Sequence, residues 1–238
     1  MPRQHPSRLA VPFDTSAMQF VIDSLFNPEQ VVAIVEQLQS NQDDWRAGAE
    51  TAGWHARAVK NNHQLDRSSA LHHQLATAVQ QQLRANPLVQ AAAFPRQIHG
   101  ILFSRTGIGE GYGRHVDNAW MTDGRSDLSF TIWLSDPTSY EGGELTLETG
   151  DGERSYRLPA GHCLVYPSTL LHYVVPVRSG QRLVAVGWIE SRIRHTDQRE
   201  LLFELDTARR ALFARSGKDE IFDLVTKSYT NLLRRWER

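Results

Sequence analysis

Apolar residues recur at helical spacing near both ends of the chain. The first helical pattern follows Asn27-Pro28, where asparagine is typical of a helix cap and proline of a first helical position. The second begins at Asp66 and stops before Pro87, and two more follow residue 191, separated by Gly217. We therefore predict helices before and after the central region. The apolar stripes are Val31, Val35 and Leu38; Leu71, Leu75, Val79 and Leu83; Leu201, Leu205, Ala208 and Leu212; and Ile221, Val225, Tyr229 and Leu232.

The central region instead alternates apolar and polar residues with a period of two, which is typical of strands. Glycine and proline interrupt the alternation, and the turn at residues 150–152 is the clearest hairpin signal. Many short strands separated by turns indicate a closed or two-sheet core such as a jelly roll. The predicted strands are 98–104, 113–118, 128–134, 144–148, 155–158, 163–166, 171–177 and 182–189.

Together these patterns predict an α+β fold, a jelly-roll core with N-terminal and C-terminal helices packed around it. We divide the chain into an extension (1–17), an N-terminal helical segment (18–97), the core (98–190) and a C-terminal helical segment (191–238). Residues 1–17 have three prolines and no periodicity, so we expect a flexible extension. Met18 opens the first apolar run and is an alternative natural start.

Composition narrows the function classes. Cys163 is the only cysteine, which excludes an intrachain disulfide and a four-cysteine zinc site and fits a reducing, cytoplasmic location. No apolar run is long enough to span a bilayer, so we predict no membrane partner. The net charge is -1, and the core holds seven basic against eleven acidic residues, which argues against nucleic acid as a partner.

Two His-x-Asp triplets stand out in a chain with ten histidines. The triplet alone is weak evidence, but its context separates the two copies. His115 and Asp117 fall in a predicted strand, where residues two apart share a face and can reach one metal ion. His195 and Asp197 fall at a predicted helix start and have no histidine after them, so we interpret them as capping and surface residues.

A third candidate ligand, His172, lies on a later predicted strand. Two imidazoles and one carboxylate on one side of a metal leave positions open opposite them, an arrangement that suits non-haem Fe(II). Zinc also accepts this set, so the ligands alone do not choose the metal.

Arg182 follows His172 by ten residues, across a turn. The planar guanidinium binds a carboxylate through two parallel hydrogen bonds, so Arg182 could hold the distal carboxylate of a metal-chelating 2-oxo acid. An arginine after a turn is more often a surface residue. Because His115, Asp117 and His172 precede it in order, we favour the interpretation that Arg182 points into the same cavity as these three residues.

With these residues in place, the chain resembles the Fe(II)/2-oxoglutarate dioxygenases and, more narrowly, the bacterial PKHD-type hydroxylases, relatives of the prolyl and lysyl hydroxylase catalytic domain. The similarity extends over nearly the whole chain from Met18. The motifs that carry it are Thr51-Ala52-Gly53, Lys60-Asn61-Asn62-His63-Gln64-Leu65, Tyr112-Gly113-Arg114-His115-Val116-Asp117-Asn118-Ala119, Glu141-Gly142-Gly143-Glu144-Leu145, Tyr166-Pro167-Ser168, His172, Arg182, Trp188-Ile189-Glu190-Ser191 and Tyr229-Thr230-Asn231-Leu232-Leu233-Arg234-Arg235-Trp236.

The resemblance implies a double-stranded β-helix, with His115, Asp117 and His172 as Fe(2+) ligands and Arg182 as the partner of 2-oxoglutarate. It also implies hydroxylation of a substrate with release of succinate and carbon dioxide, and ascorbate as a further cofactor. The substrate is a small molecule or a peptide or protein side chain. One residue departs from the family pattern, since Thr106 stands where a tyrosine usually could bond the co-substrate carboxylate.

Some alternatives stay open at the level of sequence. Tyr112 and Tyr166 are candidate cavity or co-substrate contacts, and Tyr112 could instead pack beside its strand. Residues 60–64 could approach the site or form a polar turn. The competing functions are a cupin-like zinc hydrolase or sensor, a nucleic-acid demethylase of the same superfamily and a catalytically silent binding module. The apolar faces of the C-terminal helices could cover the sheet or form a homodimer. His72 and His73 are interpreted as surface residues.

Overall fold

A computed structural model describes residues 19–51 and 57–237. The predicted extension (1–17), Met18 and most of the motif at 51–53 lie outside the described residues. The helices are α1 (Pro28–Ser40), α2 (Ala70–Ala85), α3 (Pro87–Ala93), α4 (Thr196–Ser216) and α5 (Glu220–Trp236), with 3-10 turns at Gln42–Asp44, Gly48–Thr51 and Arg57–Val59. The strands are β1 (Phe20–Ile22), β2 (Trp45–Ala47), β3 (Lys60–Asn61), β4 (His63–Leu65), β5 (Pro95–Thr106), β6 (Gly111–His115), β7 (Trp120–Met121), β8 (Gly124–Arg125), β9 (Leu128–Trp133), β10 (Tyr140–Glu141), β11 (Leu145–Thr149), β12 (Gly152–Tyr156), β13 (Cys163–Pro167), β14 (His172–Val174), β15 (Ser179–Gly180) and β16 (Arg182–Ser191).

The strands form a major and a minor sheet, each built from antiparallel neighbours. The major sheet has the order β1-β13-β9-β16-β5-β4-β2, and the minor sheet has the order β12-β11-β14-β6-β3. Two small ribbons, β7-β8 and β10-β15, complete the described strands. This is the jelly-roll core that the turn pattern predicts.

The period of two explains how the major sheet is buried on both faces. Along β9, Phe130 and Ile132 pack in a cluster with the apolar faces of α1, α2 and α3. Trp133 turns to the opposite face and packs with Leu145 and Leu147 of the minor sheet. Each strand thus contributes to an outer core under the helices and to an inner core between the sheets. The functional site lies on this inner side.

The predicted strands all have counterparts, but the N-terminal segment departs from a purely helical prediction. It contributes β1, β2 and β4 to the major sheet and β3 to the minor sheet. These strands have only two or three residues, which is too short for a periodicity to appear. Their stabilisation comes from the sheet edges that they join, a feature that sequence spacing does not report.

Helix ends follow side-chain capping closely. The Asn27 side chain accepts from the Gln30 amide, and the Gln30 side chain accepts from the Asn27 amide, so the predicted start of α1 is confirmed. The start of α2 predicted at Asp66 is wrong, because Ser69 caps that helix and Asp66 instead binds Ser68 in a turn. The stop before Pro87 separates α2 from the unpredicted short helix α3.

The surface interpretation of His72 is wrong. Its side chain lies on the face of α2 that packs on β5, with Nε2 at 2.9 Å from the Ile101 carbonyl oxygen and the ring edge-on to Phe103. His73 is exposed, as predicted. Adjacent helix residues do not share a face, and the prediction that both histidines are on the surface holds for His73 alone.

The C-terminal helices α4 and α5 pack against each other, and α4 also packs against α3. Gly217 ends α4 as predicted, with its amide bonded to the Phe213 carbonyl. Among the described residues, no helix has both the length and the apolar character needed to cross a bilayer.

Candidate metal centre

Strand pairing brings the two predicted histidine ligands together. His115 at the end of β6 lies directly opposite His172 at the start of β14. His115 Nδ1 is 2.8 Å from the Gly113 carbonyl oxygen, and His172 Nδ1 is 3.0 Å from that of Leu170. A carbonyl oxygen only accepts, so each Nδ1 carries the proton and each Nε2 keeps its lone pair. This is the tautomer that a metal ligand requires, fixed by the backbone.

Asp117 lies in the loop after β6, not within a strand as predicted, because β6 ends at His115. The loop still returns its carboxylate to the histidines. Asp117 Oδ1 is 4.0 Å from His115 Nε2, and Oδ2 is 3.9 Å from His172 Nε2. These distances are too long for hydrogen bonds, so the donor atoms surround a gap. One ligand atom from each residue lies within 4.8 Å of the others.

The carboxylate of Asp117 is oriented by two donors. Its Oδ2 accepts from Ser129 Oγ at 2.6 Å and from Trp188 Nε1 at 3.0 Å. Ser129 Oγ is also 2.7 Å from Ser168 Oγ, which extends the chain of polar contacts to β13. Both donors hold the same oxygen, so Oδ1 is left for another partner.

The loop that carries Asp117 is fixed at its far end. Ser126 Oγ donates to the Asn118 carbonyl oxygen. The Arg125 guanidinium pairs with Asp127 at 3.1 Å and with Glu190 at 3.0 Å, and all three residues are largely buried. The ribbon β7-β8 is thereby tied to β16, which keeps Asp117 in register with the histidines.

Burial sets the protonation of the first histidine. His115 is 7% exposed and His172 is 5% exposed. Burial, with the neighbouring His172 as the next cause, lowers the pKa of His115 to about 4. At neutral pH the imidazole is therefore uncharged, as a ligand must be. His115 therefore does not have to lose a proton before a cation binds.

A glycine makes the position of Trp188 possible. Gly100 has φ +63, and a Cβ at this position would lie 2.6 Å from Trp188 Cε3. A side chain at residue 100 would therefore collide with the indole and would also strain the backbone. The glycine lets the indole lie across β5 and reach Asp117.

We expect Trp188→Phe to weaken divalent-metal binding by about 10- to 100-fold, because partners of metal ligands contribute about that much. Phenylalanine keeps most of the packing but removes the N–H that donates to Asp117 Oδ2. Isothermal titration calorimetry of the apo-protein with Mn(II) measures the change in the dissociation constant. The matched control is Trp120→Phe, since Trp120 is 67% exposed. Equal effects of both substitutions would contradict the orienting role.

The candidate ligands open into a cavity of about 130 Å³ between the sheets. Arg182, at the start of β16, lines it and is 3% exposed. Its Nε is buried with no hydrogen-bond partner among the described residues. Burial lowers the pKa of Arg182, but a guanidinium stays protonated at neutral pH. A buried cation with an unmatched donor fits an anionic ligand, and the alternative of a surface arginine is wrong.

The other predicted contacts also line this cavity. Thr106 lies opposite Arg182 in the β5–β16 register and is buried. Tyr166 is buried, with its ring edge-on to His172 at 5.5 Å. The Tyr112 ring stacks on His115 at 3.6 Å, so Tyr112 lines the cavity and is not merely beside its strand.

The polar motif at 60–64, for which the sequence left two alternatives open, supplies part of the cavity rim. Lys60, Asn62 and Gln64 line it, while Asn61 lines a shallower neighbouring groove. The sequence offered no periodic signal for this placement, because β3 and β4 are too short. Ser129 and Trp188 were also missed as site residues. The alternation along β9 could have indicated that Ser129 faces inward, beside Leu128 and Phe130 that face outward.

The second triplet is not part of a metal cluster. His195 stands at the N-cap of α4, as predicted, although its side chain makes no capping bond. His195 and Asp197 are both exposed. Among the part of the chain that the structure describes, the grouped candidate ligands are His115, Asp117 and His172.

Family models match the jelly-roll core and the C-terminal helices of this chain. Residues 101–190 match the model of the 2OG-Fe(II) oxygenase superfamily, and residues 197–237 match that of the PKHD-type hydroxylase C-terminal domain. A PKHD-type hydroxylase of Synechococcus elongatus is 52% identical over 223 residues, which is 92% of this chain and 99% of the relative. One of Prochlorococcus marinus is 48% identical over 218 residues, 90% of this chain and 99% of the relative.

Solved structures with the same fold are more distant in sequence. A prolyl-4-hydroxylase of Pseudomonas putida superposes with a TM-score of 0.55 at 19% identity, covering 74% of this chain and 94% of that one. A 2OG-Fe(II) oxygenase family oxidoreductase of Burkholderia pseudomallei gives 0.55 at 17% identity, covering 75% and 86%. At this identity the likeness supports the fold alone.

Proposed function

The chain belongs to the PKHD-type hydroxylases of the 2OG-Fe(II) oxygenase superfamily, and on this premise we propose the reaction that its site performs. One oxygen atom of dioxygen enters a C–H bond of the substrate as a hydroxyl group. The other enters 2-oxoglutarate, which loses carbon dioxide and leaves as succinate. His115, Asp117 and His172 hold the metal, and Arg182 binds the co-substrate. The substrate is a small molecule or a peptide or protein side chain.

The observation that carries the proposal is the shared orientation of the three candidate ligands. Both Nε2 lone pairs and Asp117 Oδ1 are directed at one gap, while every competing atom of these groups is already bonded. Two imidazoles and a carboxylate suit Fe(II). When bound there, Fe(II) would supply open positions for the 2-oxo acid and dioxygen, together with the redox chemistry.

Arg182 extends the site from metal binding to co-substrate binding. Its buried guanidinium can pair with a carboxylate through two parallel hydrogen bonds. Thr106, directly opposite in the sheet register, can donate its hydroxyl to the same carboxylate. A threonine reaches less far than the tyrosine usual in the family, so Arg182 carries most of this recognition.

The remaining lining residues orient the substrate and exclude water. Leu102, Val184 and Val186 form apolar walls, so few solvent molecules compete at the reacting atoms. Lys60, Asn62 and Gln64 place polar groups at the rim. A substrate is thus held between a polar rim and an apolar interior, with the reacting C–H bond directed to the metal.

The competing functions do not account for three metal ligands together with a buried arginine. A zinc hydrolase or sensor would use the three ligands but has no need of a buried arginine with an unmatched donor. A nucleic-acid demethylase would require a basic groove, and the core has more acidic than basic residues. Ascorbate dependence, a cytoplasmic location and a homodimer stay predictions.

The direct test is turnover of 2-oxoglutarate. With Fe(II) and dioxygen, we expect the protein to convert 2-oxoglutarate to succinate and carbon dioxide slowly without its substrate. Chromatography of succinate against a reaction under argon measures the product. Zn(II) in place of Fe(II) is the matched control and should give none. Succinate formation at the same rate under argon, or with zinc, would contradict the proposed reaction.

A further inference from the structure

Two buried aromatic residues, Trp133 and Tyr140, lie beside Arg182 but outside the cavity lining. The guanidinium carbon of Arg182 is 5.9 Å from the centre of the Trp133 ring. Strand β10 pairs with β15, which places Tyr140 opposite Gly180, two residues before Arg182. Trp133 is 0% exposed and Tyr140 is 2% exposed, and neither is among the described lining residues. Both rings therefore lie on the protein side of the arginine.

Gly143 lets the side chains of Tyr140 and Arg182 approach the same point of the backbone. A Cβ at Gly143 would lie 2.9 Å from Arg182 Cδ and 3.2 Å from Tyr140 Cε2. The first distance is too short for a side chain, and the φ of +67 also favours glycine. Cε2 is bonded to the carbon that carries the hydroxyl. The hydroxyl end of Tyr140 therefore lies on the side of Gly143 and Arg182.

Three polar atoms of this cluster are enclosed by the protein. Arg182 Nε, Trp133 Nε1 and Tyr140 Oη make no hydrogen bond of normal geometry among the described residues. The two nitrogens only donate, whereas a hydroxyl oxygen can accept hydrogen bonds and donate one. Buried polar atoms are rarely left unmatched, so this cluster calls for a state in which they are paired. Tyr140 Oη is the acceptor of the set.

Tyr140 and Arg182 also influence each other electrostatically. Burial lowers the pKa of Arg182, and the groups that raise it are, in order of effect, Tyr140, Tyr166 and Glu144. Burial raises the pKa of Tyr140, and Arg182 is the largest cause in the opposite direction. At neutral pH the arginine is thus charged and the tyrosine is a neutral hydroxyl. The pairing agrees with the approach of the two side chains at Gly143.

Arg157 fixes Tyr140 independently of the cavity. Its Nη1 donates to the Tyr140 carbonyl oxygen at 3.2 Å and lies 3.6 Å from Glu144 Oε1. The guanidinium carbon of Arg157 is 5.7 Å from the centre of the Tyr140 ring. The tyrosine is thus held at its backbone and at its ring. The fold, and not a ligand, determines where its hydroxyl lies.

We propose that Tyr140 is a positioning residue for Arg182. Its hydroxyl accepts one N–H of the guanidinium and fixes the direction of the others, which bind the distal carboxylate of the 2-oxo acid. A guanidinium has five N–H groups, so two parallel bonds remain for the carboxylate. Since Thr106 reaches less far than the tyrosine usual in the family, this recognition depends on how well Arg182 is oriented. The inference rests on the proposed function, in which Arg182 binds the co-substrate.

The experiment compares two 2-oxo acids with the same number of carbons. 2-Oxoglutarate has a distal carboxylate, and 2-oxopentanoate has a methyl group in its place. Each is titrated under argon into the protein loaded with Fe(II), and its binding is followed by the absorption of the metal chelate. We expect Tyr140→Phe to weaken binding of 2-oxoglutarate by about 10-fold, the size of one hydrogen bond to a charged group. Binding of 2-oxopentanoate should not change, because it has no carboxylate for Arg182.

A double variant separates an effect through Arg182 from a direct contact with the carboxylate. In the Arg182→Met background, Tyr140→Phe should cause no further loss, since the group that it orients is absent. Tyr229→Phe is the matched control, because Tyr229 lies on α5 and loses the same hydroxyl outside the described cavity lining. This control should bind both acids as the wild-type protein does.

Different failures are distinguishable. If Tyr140→Phe leaves the binding of 2-oxoglutarate unchanged, or weakens both acids equally, the inference is wrong and the proposed function stands. A further loss in the double variant would mean that Tyr140 contacts the carboxylate itself, and it would also overturn the inference. If the wild-type protein binds no 2-oxoglutarate, the proposed function itself fails.

Discussion

The His172→Ala variant is expected to lose metal binding and 2-oxoglutarate turnover together. The substitution removes one of two imidazoles directed at the same gap, and its Nε2 has no substitute among the described residues around it. Even outer partners of metal ligands contribute about 10- to 100-fold, so loss of a ligand should weaken Fe(II) binding by more than about 100-fold. Calorimetric titration with Mn(II) and a succinate assay measure the two effects.

The second His-x-Asp triplet supplies the matched control for this prediction. His195→Ala makes the same chemical change at an exposed residue, and it should leave both measurements unchanged. Thermal unfolding of the apo-proteins checks that His172→Ala still folds. Asp117→Ala should behave like His172→Ala. Comparable loss in the His195 variant would overturn the assignment of the ligands.

The Arg182→Met variant is expected to bind Fe(II) but to lose affinity for 2-oxoglutarate. Methionine fills much of the same volume while it removes the buried cation. Truncating one partner of a buried hydrogen-bonded charge pair costs about 2–5 kcal/mol, which corresponds to roughly 30- to 4000-fold in the dissociation constant. Titration with 2-oxoglutarate under argon, with Fe(II) saturating, measures the change directly.

Two further variants separate charge from packing at this position. Arg182→Lys keeps the charge but loses the fork, so it should recover part of the affinity. Arg178→Met removes an exposed arginine from the preceding loop and should have no effect. An unchanged dissociation constant in Arg182→Met, with intact Fe(II) binding, would remove Arg182 from the site.

Sequence spacing predicted the parts of the site that lie on strands of the central region. His172 and Arg182 belong to strands whose alternation and turns are visible in the chain, so their common cavity could be expected. Asp117 was predicted through the wrong geometry, since it lies on a loop. Its carboxylate still lies beside the two histidines, because a loop tied down by Arg125 returns it to the same place.

The roles that arise from tertiary packing were not decided by the sequence, which gave Trp188 no site role and left residues 60–64 either near the site or in a polar turn. Trp188 reaches Asp117 only because Gly100, distant in sequence, leaves room for the indole. Lys60 reaches the cavity because a two-residue strand joins the edge of the minor sheet. No local pattern reports a contact of this kind, since neither partner changes the periodicity of its own segment.

The location of a bound metal tests the central claim most directly. Crystals of the protein loaded with Mn(II) and 2-oxoglutarate under argon would give an anomalous signal from the ion. The account predicts one strong peak bonded to His115 Nε2, Asp117 Oδ1 and His172 Nε2, with the distal carboxylate of 2-oxoglutarate against Arg182. A metal bound elsewhere, for example at His195 and Asp197, with none between His115 and His172, would contradict it.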